Sequence, residues 1–373
     1  MITSLTLTNF RNYQSASVDG LNDRFVILTG PNGSGKTNCL EAVSLLSPGR
    51  GLRGASVADL QSQTHTGQTW SIFAKIHHKD DVTNLGVGRD PQKPDKKIIR
   101  SNQNPIKNQQ DLGDILRTLW LTPQMDGLFL QASSERRRFF DRLVAAFDPS
   151  HSGRMTRYEK AMRERLNLLK DDRKTPDTIW LDALENIMAE TAIAIAASRI
   201  DILNQLQSHI DKQVWDHFPK SDLQLTGEIE QSVQNQSALM IEDKMKEKLR
   251  SMRAADGQTG RTNYGVHRTD LSVTYRDKNA NASQCSTGEQ KALLTGVILS
   301  HAMMVEARYA QAPLLLFDEM AAHFDTKRRD ALLNILQNLN TQVWLSGQET
   351  SQFLGIEGQT QFLSIDQNKI DHQ

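Results

Sequence analysis

Eight residues carry the most sharply defined chemistry in this chain: GPNGSGKT, Gly30 to Thr37. Gly30, Gly33 and Gly35 permit a turn tight enough for successive backbone N–H groups to face one anion. A helix opening at the same point adds its unpaired N-terminal donors. Pro31, Asn32, Ser34 and Asn38 belong to the same stretch, so residues 30–38 form a candidate phosphate cradle. Lys36 has the reach to meet β- and γ-phosphates and the Thr37 hydroxyl can ligand magnesium, which makes ATP with Mg2+ the expected pair.

A second stretch, LLLFDE at Leu314 to Glu319, ends an apolar run on two carboxylates. A strand ending beside the cradle would place Asp318 to support hydrated magnesium and Glu319 to orient or deprotonate an attacking water. Between the two lies Cys285–Ser286–Thr287–Gly288–Glu289–Gln290. Ser286 and Glu289 have the spacing of a capping box ahead of an apolar helix with Leu293, Leu294, Val297, Ile298 and Leu299. That helix start and serine hydroxyl can donate to an anion, such as a γ-phosphate held across an interface, or serve only as a helix cap.

These groups need elements to position them. Phe25–Val26–Ile27–Leu28 predicts a buried strand running into the cradle, and Leu40, Ala42, Val43 and Leu46 predict the helix that leaves it. The run 314–317 predicts a neighbouring strand in a mostly parallel sheet. Ile2 to Phe10 alternates as a strand. Strand-like runs at Trp70–Ile76, Asp81–Val87 and Lys97–Arg100 predict a small antiparallel layer on the nucleotide-binding core. SPGRGLRG, Ser47 to Gly54, leaves Arg50 and Arg53 for phosphate or carboxylate contacts, or as a solvated turn. LWLTPQ, Leu119 to Gln124, ends on a glutamine that can join the metal and γ-phosphate environment or belong simply to a loop.

SSERRRFFDRLVAAFDP predicts a helix capped by Ser133 or Ser134, with Phe139, Phe140, Leu143, Val144 and Phe147 on one face. Arg136, Arg137 and Arg138 cannot share a face, and suit domain docking or DNA contact equally. From about Ser150 to Arg253 long charged helices are expected. One stripe is Met155, Tyr158, Met162, Leu166 and Leu169; another, after a break at Thr175–Pro176, is Ile179, Ala183, Ile187 and Met188. Lys244, Lys246, Lys248, Arg250 and Arg253 form a basic run that fits a phosphate backbone or a solvated helix with internal pairs. In YGVHRTDLSVTY, Tyr264 to Tyr275, strands return, and His267, Arg268 and Asp270 read as structural hydrogen-bonding groups.

Lysine plus arginine number 44 and aspartate plus glutamate 44, so net charge gives no argument for nucleic acid, although a local basic surface can coexist with neutrality. Cys39 and Cys285 lack the spacing of a zinc site or a disulfide scaffold. No apolar run is long enough to span a membrane, and MITSLTLTNFRN does not read as a secretory signal. A cytoplasmic protein with no membrane partner is expected.

Six stretches together resemble the ATP-binding-cassette family, in the branch of the chromosome-maintenance ATPases and the bacterial RecF recombination mediators. They are LTLTNFRNY (Leu5–Tyr13), GPNGSGKTNCLEA (Gly30–Ala42), RRRFFDR (Arg136–Arg142), GVHRTDL (Gly265–Leu271), STGEQKALL (Ser286–Leu294) and LLLFDEMAAHFD (Leu314–Asp325). The resemblance implies an α/β fold: a split ATP-binding-cassette P-loop NTPase head with an antiparallel β layer and an inserted α-helical lobe. Residues 1–149 and 256–373 would be the two parts of the head and 150–255 the lobe.

It further implies an ATP-dependent homodimer in which Gly30 to Thr37 of one copy face Ser286 to Glu289 of the other. Lys36 and Glu319 would act in cis, and Ser286 and Gly288 across the interface, with Asp325 communicating between copies. Thr37, Asp318 and Gln124 would attend the metal. Hydrolysis would loosen the dimer. The family role implies binding to duplex DNA at single-strand/double-strand junctions, work with RecO and RecR in loading RecA during replication, repair and the SOS response, and association with the nucleoid. Arg136, Arg137, Lys244, Lys246, Lys248 and Arg250 are the candidate DNA contacts. Two departures stand out. STGEQ replaces the LSGGQ of transporter relatives, and VWLSGQE, Val343 to Glu349, lacks a switch histidine, leaving Ser346 or Gln348 as substitutes. Slow, dimer-dependent hydrolysis is therefore expected. The competing readings are a soluble nucleotide-binding subunit of a transporter, a long-armed chromosome ATPase and a noncatalytic nucleotide-dependent scaffold. The interval between motifs is too short for long arms.

Overall fold

The computed structural model describes residues 1–62, 69–78, 81–170, 177–319, 324–353, 356 and 360–372. Approximate alternation makes β1 (Ile2–Phe10) a strand with Leu5 and Leu7 buried, and β2 (Tyr13–Asp19) returns antiparallel with Ala16 opposite Leu7. β3 (Phe25–Thr29) is buried at every position and runs through the glycine-rich loop into α1 (Lys36–Ser44). β4 (Ser71–His78), β5 (Asp81–Arg89), β6 (Lys97–Ser101) and β7 (Asn104–Pro105) complete an antiparallel sheet in the order β2-β1-β4-β5-β6-β7. α2 (Gln109–Ile115) then leads into β8 (Thr118–Leu121).

The middle of the chain is mainly helical: α3 (Ser133–Phe147), α4 (Ser150–Lys170), α5 (Thr178–Lys212), α6 (Glu228–Asn235), α7 (Ala238–Ser251) and α8 (Arg253–Thr259). With them goes a small antiparallel sheet of β9 (Ser221–Thr226), β10 (Asp270–Tyr275) and β11 (Ala280–Asn281). The break expected at Thr175–Pro176 lies outside the described residues. Two guanidiniums organise the interior. Arg165 pairs with Glu185 (2.9 Å) and Asp256 (2.7 Å), while Arg199 pairs with Asp141 (2.8 Å) and Glu230 (2.7 Å) and donates to the Val266 carbonyl (2.8 Å).

The chain divides into two compact units, one of Met1–Asp126, Lys212–Pro219 and Ser286–Gln373, the other of Gly127–Asp211 and Lys220–Cys285. The second unit therefore extends past the expected lobe of 150–255 at both ends and leaves Lys212–Pro219 to the first unit. Arg199 illustrates this: two of its partners, Asp141 on α3 and the Val266 carbonyl, stand outside those bounds. Two local expectations also shift. α3 begins after Ala132 with no side-chain cap, so neither Ser133 nor Ser134 closes it. On α5, Ile179 and Ala183 are exposed, and Leu181, Leu184 and Met188 face the core.

Returning to the first unit, α9 (Thr287–Tyr309) precedes β12 (Leu314–Phe317), α10 (Thr326–Asn338), β13 (Val343–Gly347), β14 (Thr360–Asp366) and β15 (Lys369–His372). The second sheet of this unit runs β15-β14-β3-β13-β12-β8, parallel throughout except for the β14–β15 pair. Parallel strands end at one edge, so the sheet delivers the cradle after β3, Asp318 after β12, Ser346 in β13 and Thr122 after β8 to the same side, where nucleotides bind in such sheets. Beneath them Cys39, Leu40 and Val43 of α1 pack in one core with Leu316, Trp344 and Leu7. Burial pushes the Cys39 thiol up to about 12, which leaves it an inert packing group.

Candidate nucleotide site

The cradle has the form its sequence requires. Gly30 and Gly35 adopt φ of 145° and 116°, which glycine alone takes readily. A Cβ on Gly35 would lie 2.6 Å from Asn12 Nδ2. Tyr13 donates its hydroxyl to the Gly35 carbonyl at 3.0 Å, fixing the loop from β2. Asn12 donates to the Ser34 carbonyl (3.4 Å), and Asn38 donates to Asn12 Oδ1 (2.5 Å). Arg53 in turn donates to Asn38 (2.7 Å) and pairs with Glu41 (3.2 Å), which also holds Arg11 at 2.8 Å. Nothing local in the sequence marks Asn12 or Glu41 as support for the loop. Arg11 reaches Glu41, and Asn12 the loop, only because β1 and β2 lie over α1, which no local motif encodes.

Lys36 donates to the carbonyls of Gly30 (2.7 Å) and Pro31 (2.8 Å), curling over the loop where phosphate oxygens would accept its hydrogen bonds. Burial lowers its pKa, and the carboxylates Glu319 and Asp318 pull it back up. Among the described residues, Ser34 Oγ is buried with no hydrogen-bond partner. A buried hydroxyl left unpaired inside a ring of backbone donors fits a site built for a polyanion.

The magnesium end is equally specific. Thr37 donates to Asp318 Oδ1 and Oδ2 at 3.0 and 2.9 Å. Ser346 donates to Asp318 Oδ1 at 2.8 Å and accepts from the Glu319 N–H at 2.8 Å. Glu319 holds φ at 49°, a left-handed conformation a side-chain-bearing residue rarely adopts. One hydroxyl and one carboxylate, with waters and phosphate oxygens filling the rest of an octahedron, is how proteins hold Mg2+ beside a nucleotide. Among the described residues no cluster of three or more histidine, cysteine or acidic side chains forms a separate metal site. Gln124 lies exposed in a 3-10 turn, Pro123–Met125, just past the end of β8. The Asp318 N–H bonds the Leu121 carbonyl at 2.9 Å, so this turn shares an edge with the carboxylates.

Ser286 and Glu289 form the expected capping box: Glu289 Oε2 accepts from the Ser286 N–H and hydroxyl, both at 2.9 Å. Asp325 caps α10, accepting from the Arg328 N–H at 3.0 Å, and Gln348 donates to Asn32 Oδ1 at 3.2 Å. Residues 320–323, within the LLLFDEMAAHFD stretch, lie outside the described residues.

The candidate DNA contacts fare unequally. Arg136 grips Asp270 with bonds of 2.8 and 2.6 Å, and Arg137 donates to the Thr269 carbonyl at 2.9 Å, so both fasten α3 to the start of β10. Lys246 pairs with Glu242 (3.0 Å) and Arg250 with Asp182 (3.0 Å). Lys244 is exposed and donates to Gln236, and Lys248 is exposed in the last turn of α7, where the helix dipole favours a cation. His267 bonds Tyr158 (2.8 Å) and the Thr262 carbonyl (2.8 Å).

Fold and site together define a P-loop nucleotide-binding head divided by an inserted helical unit. The sequence profile of the RecF/RecN/SMC N terminal domain matches residues 1–365. The chain is 42% identical to the DNA replication and repair protein RecF of Mesorhizobium japonicum over 371 residues, 99% of this chain and 97% of that protein. It is 44% identical to RecF of Rhizobium rhizogenes over 366 residues, 98% and 96% of the two. The solved structure of the recombination mediator protein RecF-ATPrS shares the fold with a TM-score of 0.84 at 21% identity, covering 100% of this chain and 98% of its own. An Smc head domain derived from Pyrococcus furiosus shares it more distantly, with a TM-score of 0.52 at 13% identity over 100% and 95%. The chain belongs to the RecF family of RecF/RecN/SMC ATPases.

Proposed function

We propose that the chain is an ATP-dependent DNA-binding recombination mediator that pairs with a second copy on ATP and acts at single-strand gaps and duplex junctions. The observation that carries this is the hydrogen-bonded series from Thr37 through Asp318 and Ser346 to the Glu319 backbone, in a chain aligned with RecF proteins along almost its whole length. Lys36 exchanges its two loop carbonyls for phosphate oxygens, and Glu319 orients and deprotonates the attacking water. Bound Mg2+, held through Thr37 and Asp318, supplies positive charge against the phosphates. Ser286 and the Gly288 region of the second copy complete the γ-phosphate contacts, so hydrolysis is slow until two copies meet. On DNA the paired heads work with RecO and RecR to load RecA.

The test is dimer mass and gapped-DNA binding on the same samples with no nucleotide, ADP or ATP, with Lys36→Met as control. ATP-specific dimers that retain gapped duplex support the reading. ATP-specific dimers indifferent to DNA would turn it toward a nucleotide-dependent scaffold or a transporter subunit. Among the described residues no helix is long and apolar enough to cross a membrane.

A further inference from the structure

Lys291 stands in α9 just behind the Ser286–Glu289 cap, its side chain only 6% exposed. Its ammonium lies 3.4 Å from Asp126 Oδ2, two residues beyond Gln124, and 4.8 Å from the centroid of the Phe324 ring, which immediately precedes Asp325. Phe324 is itself fixed edge-on against Phe218, with ring centroids 6.3 Å apart. From the other end of the same segment Arg328 reaches back to the Gly288 carbonyl at 3.4 Å. Two cations therefore clip residues 324–328 to the first turns of α9, and one of them also holds the segment that follows β8.

With one long ion-pair contact and one ring face among the described residues, this buried ammonium gives up hydration for modest returns. A methionine would fill the same volume without that cost, so packing alone does not explain a charge here. Burial lowers the Lys291 pKa, while the charges of Asp126 and Glu319 draw it up, which places the ammonium within the field of the hydrolytic carboxylate.

We infer that Lys291 is a positioning residue: it couples a chain's own nucleotide site, through Asp126 and the turn carrying Gln124, to the Ser286 cap and Asp325 that the chain offers to a second copy. The inference rests on the ATP-driven pairing proposed above. Nucleotide contacts near Gln124 and Glu319 shift Asp126, Asp126 shifts Lys291, and Lys291 sets the register between Phe324 and α9.

The experiment compares wild type, Lys291→Met, Lys291→Arg and Asp126→Asn. It measures fluorescent ATP binding to dilute monomers and, separately, the protein concentration at half-dimerisation with saturating ATP. Coupling energies of the usual size predict dimerisation weakened about tenfold in Lys291→Met and in Asp126→Asn, with monomer affinity held within about threefold and Lys291→Arg restoring most of the loss. Unchanged dimerisation in Lys291→Met and Asp126→Asn overturns the inference. So does a Lys291→Arg defect as deep as that of Lys291→Met, or a parallel fall in monomer affinity. A wild type that binds ATP yet never dimerises overturns the proposed function itself, and the coupling with it.

Discussion

Glu319 occupies a left-handed backbone position at the end of a strand, and what keeps it there is Ser346, which accepts its N–H while donating to Asp318. A non-glycine residue in that conformation stores about 1–3 kcal/mol, so the serine bond acts directly on where the carboxylate points. Substituting Glu319→Gln should slow phosphate release by about 10²–10⁴-fold, the usual contribution of a general base, and leave ATP-dependent dimers intact in a sedimentation assay. Ser346→Ala removes no ligand of the nucleotide but frees Asp318 and the Glu319 backbone together. Its turnover should drop about tenfold, with ATP affinity changed by less than about threefold, the signature of a group that positions without binding. The cradle and the two carboxylates could be singled out as candidates because each is contiguous in sequence. Ser346 was legible only as a possible switch substitute, because its link to Asp318 exists through the parallel pairing of β12 and β13.

At the scale of elements, strands were the easy part: period-two alternation and a fully apolar run placed β1, β3 and β12 with little ambiguity. Helix faces were harder. α5 buries a wide surface along its length, so a stripe drawn from Ile179 and Ala183 started on the wrong phase. The polar interior of the second unit is not visible locally, since the carboxylates that pair with Arg165 and Arg199 lie 20 to 91 residues away in the chain. Arg199 is fully buried between two carboxylates, and removing one member of such a group strands the others. Arg199→Leu should therefore lose about 3–5 kcal/mol in urea unfolding, if it accumulates folded at all, and Asp141→Asn somewhat less. The same region carries a pH dependence. Burial lowers the His267 pKa against the pull of its bond to Thr262, and Arg137 and Arg268 add repulsion. The unfolded chain then binds the extra proton first, so stability is full above about pH 6.5 and declines as pH falls toward the depressed native value. Thermal melts from about pH 7.5 to about 5.5 should show a steeper loss in wild type than in His267→Gln.

For the whole molecule, charge balance matters more than any one contact. Equal numbers of cationic and anionic side chains leave no global field to hold a polyanion, so DNA affinity must come from where cations are left exposed. Sequence placed six candidates on equal footing, and the domain boundaries with them. Local sequence could not rank the one or draw the other, because the partners of Arg136, Arg137 and Arg199 lie on segments far away in the chain, and those partners decide which of these charges are engaged internally. Lys244 and Lys248 remain exposed on α7, whereas Arg136 and Arg137 are committed to β10 and Thr269. If α7 faces DNA in the ATP dimer, Lys244→Ala with Lys248→Ala should flatten the slope of log affinity against log salt by about two, roughly one per lost phosphate contact, with dimerisation unchanged. Arg136→Ala should behave in the opposite way. It should lower the unfolding midpoint and leave the salt slope of the surviving folded protein where it was, because its charge faces Asp270 rather than solvent anions. A salt slope equally insensitive to both lysines would place the phosphate path elsewhere than α7.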